Sequence, residues 1–468
     1  MYDMAAFLQT DSDKCLYEQI YEHIREEIKG GKLRYGERLP STRTLADSLQ
    51  VSRNTVDFAY EQLLSEGYIE ARERRGYFVC KLDRHLPESP AFVESIRDVQ
   101  REEEKKYAYD FYPNGLDMSV FPFGVWKRIN KNILTDSNTE LFSLGDPQGD
   151  YDLRETIVRY LHASRGVNCT PDQVVVGAGN DYLLLLLEKL LGRHIRVAME
   201  NPSYKRVYRI FNSFAYHVET VKMDQNGMRA DDLRTKDVSL AYVMPSHQYP
   251  TGITMPIGRR MELLKWAEGD DNRYLIEDDY DSEFRYKGKP IPSLQGVDKH
   301  GKVIYIGTFS KAIAPAIRIS FMVLPPALLE KYKKDCGFYA STVSRIDQRI
   351  LNEFIKDGYF ERYLNKTRKL YREKHDLMLQ KLKPFQKKFQ ISGEESGLHM
   401  VLTCKDKKIT EEELVQRAAE ADVKVYPMSA AYLTCVEKKD AVILLGYGGL
   451  TLPEIEEGIS RLENAWGM

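Results

Sequence analysis

The sequence predicts two folded units of different kinds. One is a small N-terminal module of three helices and a hairpin. The other is a large α/β domain on a mostly parallel sheet flanked by helices. Three observations carry this. At 468 residues the chain is too long for one ordinary core. From about residue 107 onward, short β-branched apolar runs at 174–176, 195–199, 240–244, 274–276, 303–306 and 319–323 alternate with helical patterns, as in a sheet covered on both faces. Between residues 16 and 79, by contrast, apolar residues recur first at helical and then at strand spacing. The stretch 81–106 joins the two. It contains Leu86-Pro87-Glu88-Ser89-Pro90 and the charge run Arg101-Glu102-Glu103-Glu104-Lys105-Lys106, and reads as a partly helical linker. The expected division is therefore 1–80, 81–106 and 107–468.

Composition narrows the function. Hydrophobic residues make up 43% of the chain, and the formal charge is -2. Any nucleic-acid contact must come from a local basic patch. No apolar run approaches membrane-spanning length, and Met1-Tyr2-Asp3-Met4 lacks the basic stretch and apolar core of a signal peptide. The six cysteines are scattered without a CxxC pair, which argues against a zinc site or a disulfide framework. A cytoplasmic protein with no metal and no membrane partner is expected.

In the N-terminal module, Leu16, Ile20, Ile24 and Ile28 define the first helix, which ends at Gly30-Gly31. Ser41 caps a second helix that buries Leu45, Ala46 and Leu49, and Val51 makes the turn. Ser52 caps a third helix that buries Val56, Ala59, Leu63 and Leu64 and ends at Gly67. The first turn of that third helix exposes Ser52, Arg53, Asn54 and Thr55, as a recognition helix requires. Tyr68-Ile69 and Tyr77-Phe78-Val79 form the hairpin. Its tip holds Arg72, Arg74, Arg75 and Gly76, suited to phosphate or minor-groove contact. Leu39-Pro40-Ser41-x-Arg43-x-Leu45-Ala46, Val51-Ser52-Arg53-x-Thr55-Val56 and Ala59-Tyr60-x-x-Leu63-x-x-Glu66-Gly67-Tyr68 resemble the GntR-type winged helix-turn-helix. The resemblance implies that Arg43, Arg53, Asn54 and Thr55 touch DNA beside the wing arginines. Asp57 departs from the pattern, since many relatives carry a basic residue there.

In the large domain, Thr308-Phe309-Ser310-Lys311 follows the strand at 303–306, and Arg318 comes seven residues later. Ile276-Glu277-Asp278-Asp279-Tyr280 ends another apolar strand, where α/β sheets place ligands. Gly177-Ala178-Gly179-Asn180-Asp181 opens the leucine-rich helix 182–191 and exposes backbone N–H groups, a natural phosphate cradle. These motifs resemble the pyridoxal 5'-phosphate (PLP) site of fold type I aminotransferases. The resemblance implies a mostly parallel seven-stranded sheet with a small α+β C-terminal subdomain. It implies a PLP Schiff base at Lys311, phosphate held by Ser310, Arg318 and the 177–179 cradle, and Tyr204 stacked on the ring. It also implies a carboxylate at the ring nitrogen, Asp278 with Asp279 as the alternative, and Tyr280 as donor to the ring phenolate. Tyr249 stands where the family's Asn-Pro-x-Gly turn carries its ring-binding Asn, leaving His247 or Gln248 as replacements.

Phe121-Pro122, Trp126, Asp146-Pro147-Gln148-Gly149, Leu153-Arg154 and Arg165-Gly166 extend the likeness over nearly all of residues 107–468. Joined to the GntR-like module, it resembles the MocR/GabR family of regulators. The resemblance implies a homodimer on double-stranded operator DNA that senses a small amine or amino-acid effector, or PLP itself. Leu444 occupies the place of the arginine that binds the substrate carboxylate in aminotransferases. Of the two arginines used by GABA-sensing relatives, Arg206 is present, while Met428-Ser429-Ala430 carries Ala for the second. A sensor without net turnover is therefore expected; the alternative is an active aminotransferase with an accessory DNA-binding domain.

Overall fold

The computed structural model describes residues 8, 14–82, 105–286, 288, 291–435 and 440–467. The chain divides into two compact units between Glu104 and Lys105. Residues 83–104, most of the expected linker, lie outside the described residues.

The first unit holds α1 (Leu16–Lys29), α2 (Thr42–Leu49), α3 (Arg53–Ser65), β1 (Ile69–Arg72) and β2 (Gly76–Val79). Ile20, Ile24 and Ile28 of α1 pack with Leu45, Ala46 and Leu49 of α2 and with Val56, Ala59 and Leu63 of α3. Leu64 is only partly buried. Ser41 Oγ accepts from the backbone N–H of Thr44 at 3.1 Å, and Ser52 Oγ from Thr55 at 3.2 Å, so both expected caps form. Tyr60 is fully buried, with its hydroxyl donating to the Pro40 carbonyl at 3.0 Å; the helical spacing had not singled it out. β1 and β2 pair antiparallel with Arg72 opposite Gly76.

The second unit is built on seven strands. They are β3 (Val174–Gly177), β4 (Arg196–Glu200), β5 (His217–Val221), β6 (Leu240–Val243), β7 (Tyr274–Asp279), β8 (Val303–Thr308) and β9 (Ser320–Val323). Their spatial order is β3-β9-β8-β7-β6-β4-β5. β9 runs antiparallel to both neighbours, and the others run parallel. Alternate residues serve opposite faces: Val174 and Val176 enter one core cluster and Val175 another. β5 is an edge strand with mixed exposure, and His217-Val218-Glu219-Thr220-Val221 carries no apolar run to announce it. β7 extends past its apolar start through Glu277, Asp278 and Asp279.

A second, antiparallel sheet forms the C-terminal subdomain in the order β10 (Phe389–Ser392), β11 (His399–Cys404), β13 (Val442–Gly446) and β12 (Tyr426–Pro427). The chain entering this unit joins that subdomain first. Tyr109–Asp110 pairs in parallel with Val423–Lys424, and Phe111 is fully buried in the subdomain core. Among the described residues, no helix is long and apolar enough to cross a membrane.

Candidate functional site

Strand ends and helix starts converge on a cavity of about 310 Å³, within the range of small-molecule sites. Lys311 reaches it from the short helix α7 (Phe309–Ala312), which begins where β8 ends. Thr308 starts that helix by accepting from the Ser310 backbone N–H at 3.1 Å. Burial pushes the Lys311 ammonium down to about 8, against the opposing charge of Asp281. Its Nζ donates to Asn114 Oδ1 at 3.4 Å. Asn114, Tyr112 and Leu116 line the cavity from the segment that enters the unit, and the sequence motifs did not reveal them.

The two neighbouring carboxylates of β7 part company. Asp278 faces the cavity, where one oxygen accepts from the Tyr242 hydroxyl and the other from Asn180 Nδ2 at 3.4 Å. Burial raises its carboxyl to about 7, although the Tyr242 hydrogen bond acts the other way. Asp279 turns to the other face of the sheet. There it accepts from Arg165 Nε at 2.7 Å and from the Tyr305 hydroxyl at 2.5 Å. Arg165 closes the helix α4 (Tyr151–Arg165), and the Arg165 and Asp279 side chains are only 5% and 2% exposed. Asp279 is thus committed to a buried ion pair, and Asp278 is the carboxylate presented to the cavity.

The 177–179 turn leads into a helix, but the Gly179 N–H is turned inward to the Gly177 carbonyl at 2.8 Å. Gly177 ends β3, and Gly179 sits at φ +94° immediately before the helix α5 (Asn180–Leu191). A Cβ on Gly179 would fall 2.3 Å from Arg318 Nη2, so the arginine packs where only glycine allows it. No side chain caps the α5 N-terminus, and Ser310 Oγ and Asn180 Oδ1 are buried without partners. The Ala178 backbone N–H is used by Thr342 Oγ1 at 3.1 Å. Uncapped helix N–H groups, an unpartnered hydroxyl and an arginine together fit a phosphate group.

Tyr204 precedes the helix α6 (Lys205–Ser213) and meets Tyr249 edge-on, with centroids 5.6 Å apart. Arg206 lines the cavity and is also in an ion pair with Asp181, which lies 3.5 Å from Arg318 as well. Neither His247 nor Gln248 lines the cavity. Gln248 is spent on the Pro202 carbonyl and on Thr251, and His247 lies buried behind Tyr280. Tyr249 itself lines the cavity in the place of the absent Asn. Leu444 is buried against Val401 and Met428.

On the first unit, Arg43, Ser52, Arg53 and Asn54 are exposed and Thr55 is half-buried. The Ser52 and Thr55 hydroxyls bond each other at 2.8 Å, while Arg53 and Asn54 point to solvent on that turn. Arg53 Nε lies 3.5 Å from Asp57. Arg72 pairs with Glu70 at 2.7 Å and covers the Phe78 ring. Arg74, at φ +56°, and Arg75 form the exposed tip.

Comparison with known proteins divides the chain at the same place. Residues 16–79 match the family described as bacterial regulatory proteins, gntR family, and residues 115–462 match aminotransferase class I and II. The "Uncharacterized HTH-type transcriptional regulator YdeL" of Bacillus subtilis (strain 168) is 40% identical over 99% of both chains. The "Probable rhizopine catabolism regulatory protein MocR" of Rhizobium meliloti is 33% identical over 98% of this chain and 95% of its own. Among solved structures, Pyrococcus horikoshii kynurenine aminotransferase, in complex with PMP and KYN, superposes with a TM-score of 0.68. It is 25% identical, over 81% of this chain and 95% of its own.

Proposed function

The chain belongs to the MocR/GabR-type family of transcription regulators, and we propose that it senses a small amine or amino-acid-type effector in a PLP pocket and reports it to operator DNA. The observation that carries this is the convergence of Lys311, Asp278 and an uncapped helix N-terminus, with the unpartnered Ser310 hydroxyl, on one cavity.

In this reading Lys311 holds the cofactor covalently. Ser310, Arg318 and the uncapped N–H groups that open α5, just past the 177–179 turn, hold its phosphate. Asp278 faces the ring nitrogen, Tyr204 covers the ring, and Tyr280 faces the ring oxygen. When bound, PLP supplies an electrophilic carbon at which a ligand amine can replace the lysine amine. Burial that holds the Lys311 ammonium down to about 8 favours the neutral amine that a covalent link to the cofactor would need. Arg206 is the cavity's cation for an effector carboxylate. With Leu444 and Ala430 in the places of the arginines used elsewhere, that carboxylate is held by one arginine rather than two. This favours sensing over turnover.

The DNA-reading head comprises residues 1–80 and uses Arg43, Arg53, Asn54 and the wing arginines. The pocket domain comprises 107–468, and a homodimer brings two recognition helices to one operator. The test mixes protein and PLP with a panel of amines and amino acids. The expected result is a PLP absorbance band that changes with one class of amine, accompanied by altered affinity for promoter DNA and no keto-acid release. Sustained turnover would instead identify an active aminotransferase, and DNA affinity answering to PLP alone would make the cofactor the effector.

A further inference from the structure

Behind Tyr280 lies a buried pair that the roles above leave unused. His247 and Asp281 are each 2% exposed, and His247 Nδ1 lies 2.8 and 3.0 Å from the two Asp281 carboxylate oxygens. A carboxylate only accepts hydrogen bonds, so the ring proton sits on Nδ1. The Tyr280 hydroxyl oxygen is 2.9 Å from the same Nδ1. A nitrogen that carries its proton cannot take that of Tyr280. The phenol therefore shares Nδ1–H with Asp281 as an acceptor and keeps its own proton for the cavity it lines. Burial, followed by the charge of Asp281, keeps that phenol protonated far above its ordinary range.

The imidazole has nowhere else to go. It stacks on Tyr280 at an interplanar angle of 27° and lies 5.3 Å from the His399 ring. A Cβ on Gly397 would fall 2.0 Å from His247 Cε1, so the ring occupies the space that glycine leaves. The Gly397 carbonyl accepts from the Tyr447 and Tyr286 hydroxyls at 2.8 and 2.9 Å, and its N–H donates to Phe284 at 2.8 Å. His399 donates Nε2–H to the Pro250 carbonyl at 2.9 Å, and burial lowers its pKa to about 4, so it adds no charge near neutral pH. Among the described residues, the other titratable groups facing this cluster include Lys311, Asp278, Asp279, Tyr249, Tyr286 and Tyr447.

We propose that His247 and Asp281 are positioning residues that fix Tyr280 as a one-way donor toward the oxygen of the cofactor ring. This rests on the pocket being a PLP site. A donor held on that oxygen stabilises its negative charge, so losing the donor raises the pH at which the bound chromophore converts.

The experiment titrates the near-visible band of the PLP-loaded full chain against pH. Tyr280→Phe should move the midpoint up by about one pH unit or more. His247→Leu should move it similarly. His247→Asn, whose amide N–H can replace Nδ1–H toward Asp281, should stay near wild type. The double variant His247→Leu/Tyr280→Phe should move no further than Tyr280→Phe alone. If His247→Leu does not fold, His247→Phe, which keeps the stacked ring and loses only its nitrogens, takes its place. An unshifted midpoint in folded, loaded His247→Leu or His247→Phe protein overturns the proposal, and so do shifts that simply add in the double variant. A wild-type protein that shows no band overturns the PLP reading itself.

Discussion

Asp279→Asn should cost stability and leave the PLP spectrum in place, while Asp278→Asn should do the reverse. The Arg165–Asp279 pair is buried, 2.7 Å apart, and the same carboxylate oxygen also serves Tyr305. Breaking a buried pair by neutralising one partner leaves the other charge uncompensated, at about 3–5 kcal/mol. Arg165 retains the Ile291 carbonyl and Ser246 Oγ as acceptors, which puts the loss near the lower end, about 3 kcal/mol. Removing both partners in Arg165→Met/Asp279→Leu should restore most of that loss, because the desolvation cost disappears with the pair. If Asp278 faces the ring nitrogen as proposed, Asp278→Asn should weaken PLP binding roughly ten- to hundredfold, in line with about 1.5–3 kcal/mol for a charged hydrogen bond. Urea unfolding followed by circular dichroism measures the first effect, and absorbance titration with PLP the second. A stable Asp279→Asn protein that no longer binds PLP, beside an Asp278→Asn protein that does, would refute the face assignment.

Lys311→Met should stabilise the PLP-free protein. A lysine whose folded pKa is depressed to about 8 weakens the fold by its full amount below that pH, and the penalty fades as pH rises toward 10.5. The stability gain, a few kcal/mol by this linkage, should therefore be full at pH 7 and shrink between about pH 8 and 10.5; denaturant midpoints across that range check it. Asp181→Asn should free Arg206 from its ion pair and tighten binding of a carboxylate effector several-fold, whereas Arg206→Ala should weaken it by about 1.5–3 kcal/mol; calorimetric titration with the amine class found active distinguishes these. Asp57→Asn should remove an anion from the recognition face and tighten DNA binding roughly two- to tenfold at low salt, with the gain vanishing at high salt. Arg53→Ala should lose about 1–3 kcal/mol on operator DNA, and unchanged affinity in mobility-shift assays would remove α3 from the DNA.

Features set by local pattern were readable in advance. The caps Ser41 and Ser52, the valine run of β3 and the Ser310-Lys311 pair are each specified within a few residues. β5 was not readable, because an edge strand needs no apolar run. The preference for Asp278 over Asp279 came from resemblance alone: both are acidic, and it is the strand's alternation, with Tyr242 on one side and Arg165 on the other, that tells them apart. Asn114 and Asp281 escaped for a different reason. They meet Lys311 and His247 across 197 and 34 residues of chain, and no spacing rule spans such distances.

The two-residue pairing of Tyr109–Asp110 with Val423–Lys424 gives the unit an uneven anchorage. Tyr109 and Phe111 donate to the Asp422 and Lys424 carbonyls, and the Gly446 N–H donates to Phe111. The start of the second unit is thus riveted to the C-terminal subdomain rather than to the seven-stranded sheet that carries Lys311. A few residues on, the same stretch supplies Tyr112 and Asn114 to the cavity wall. Residues 109–111 therefore keep their place relative to the C-terminal subdomain.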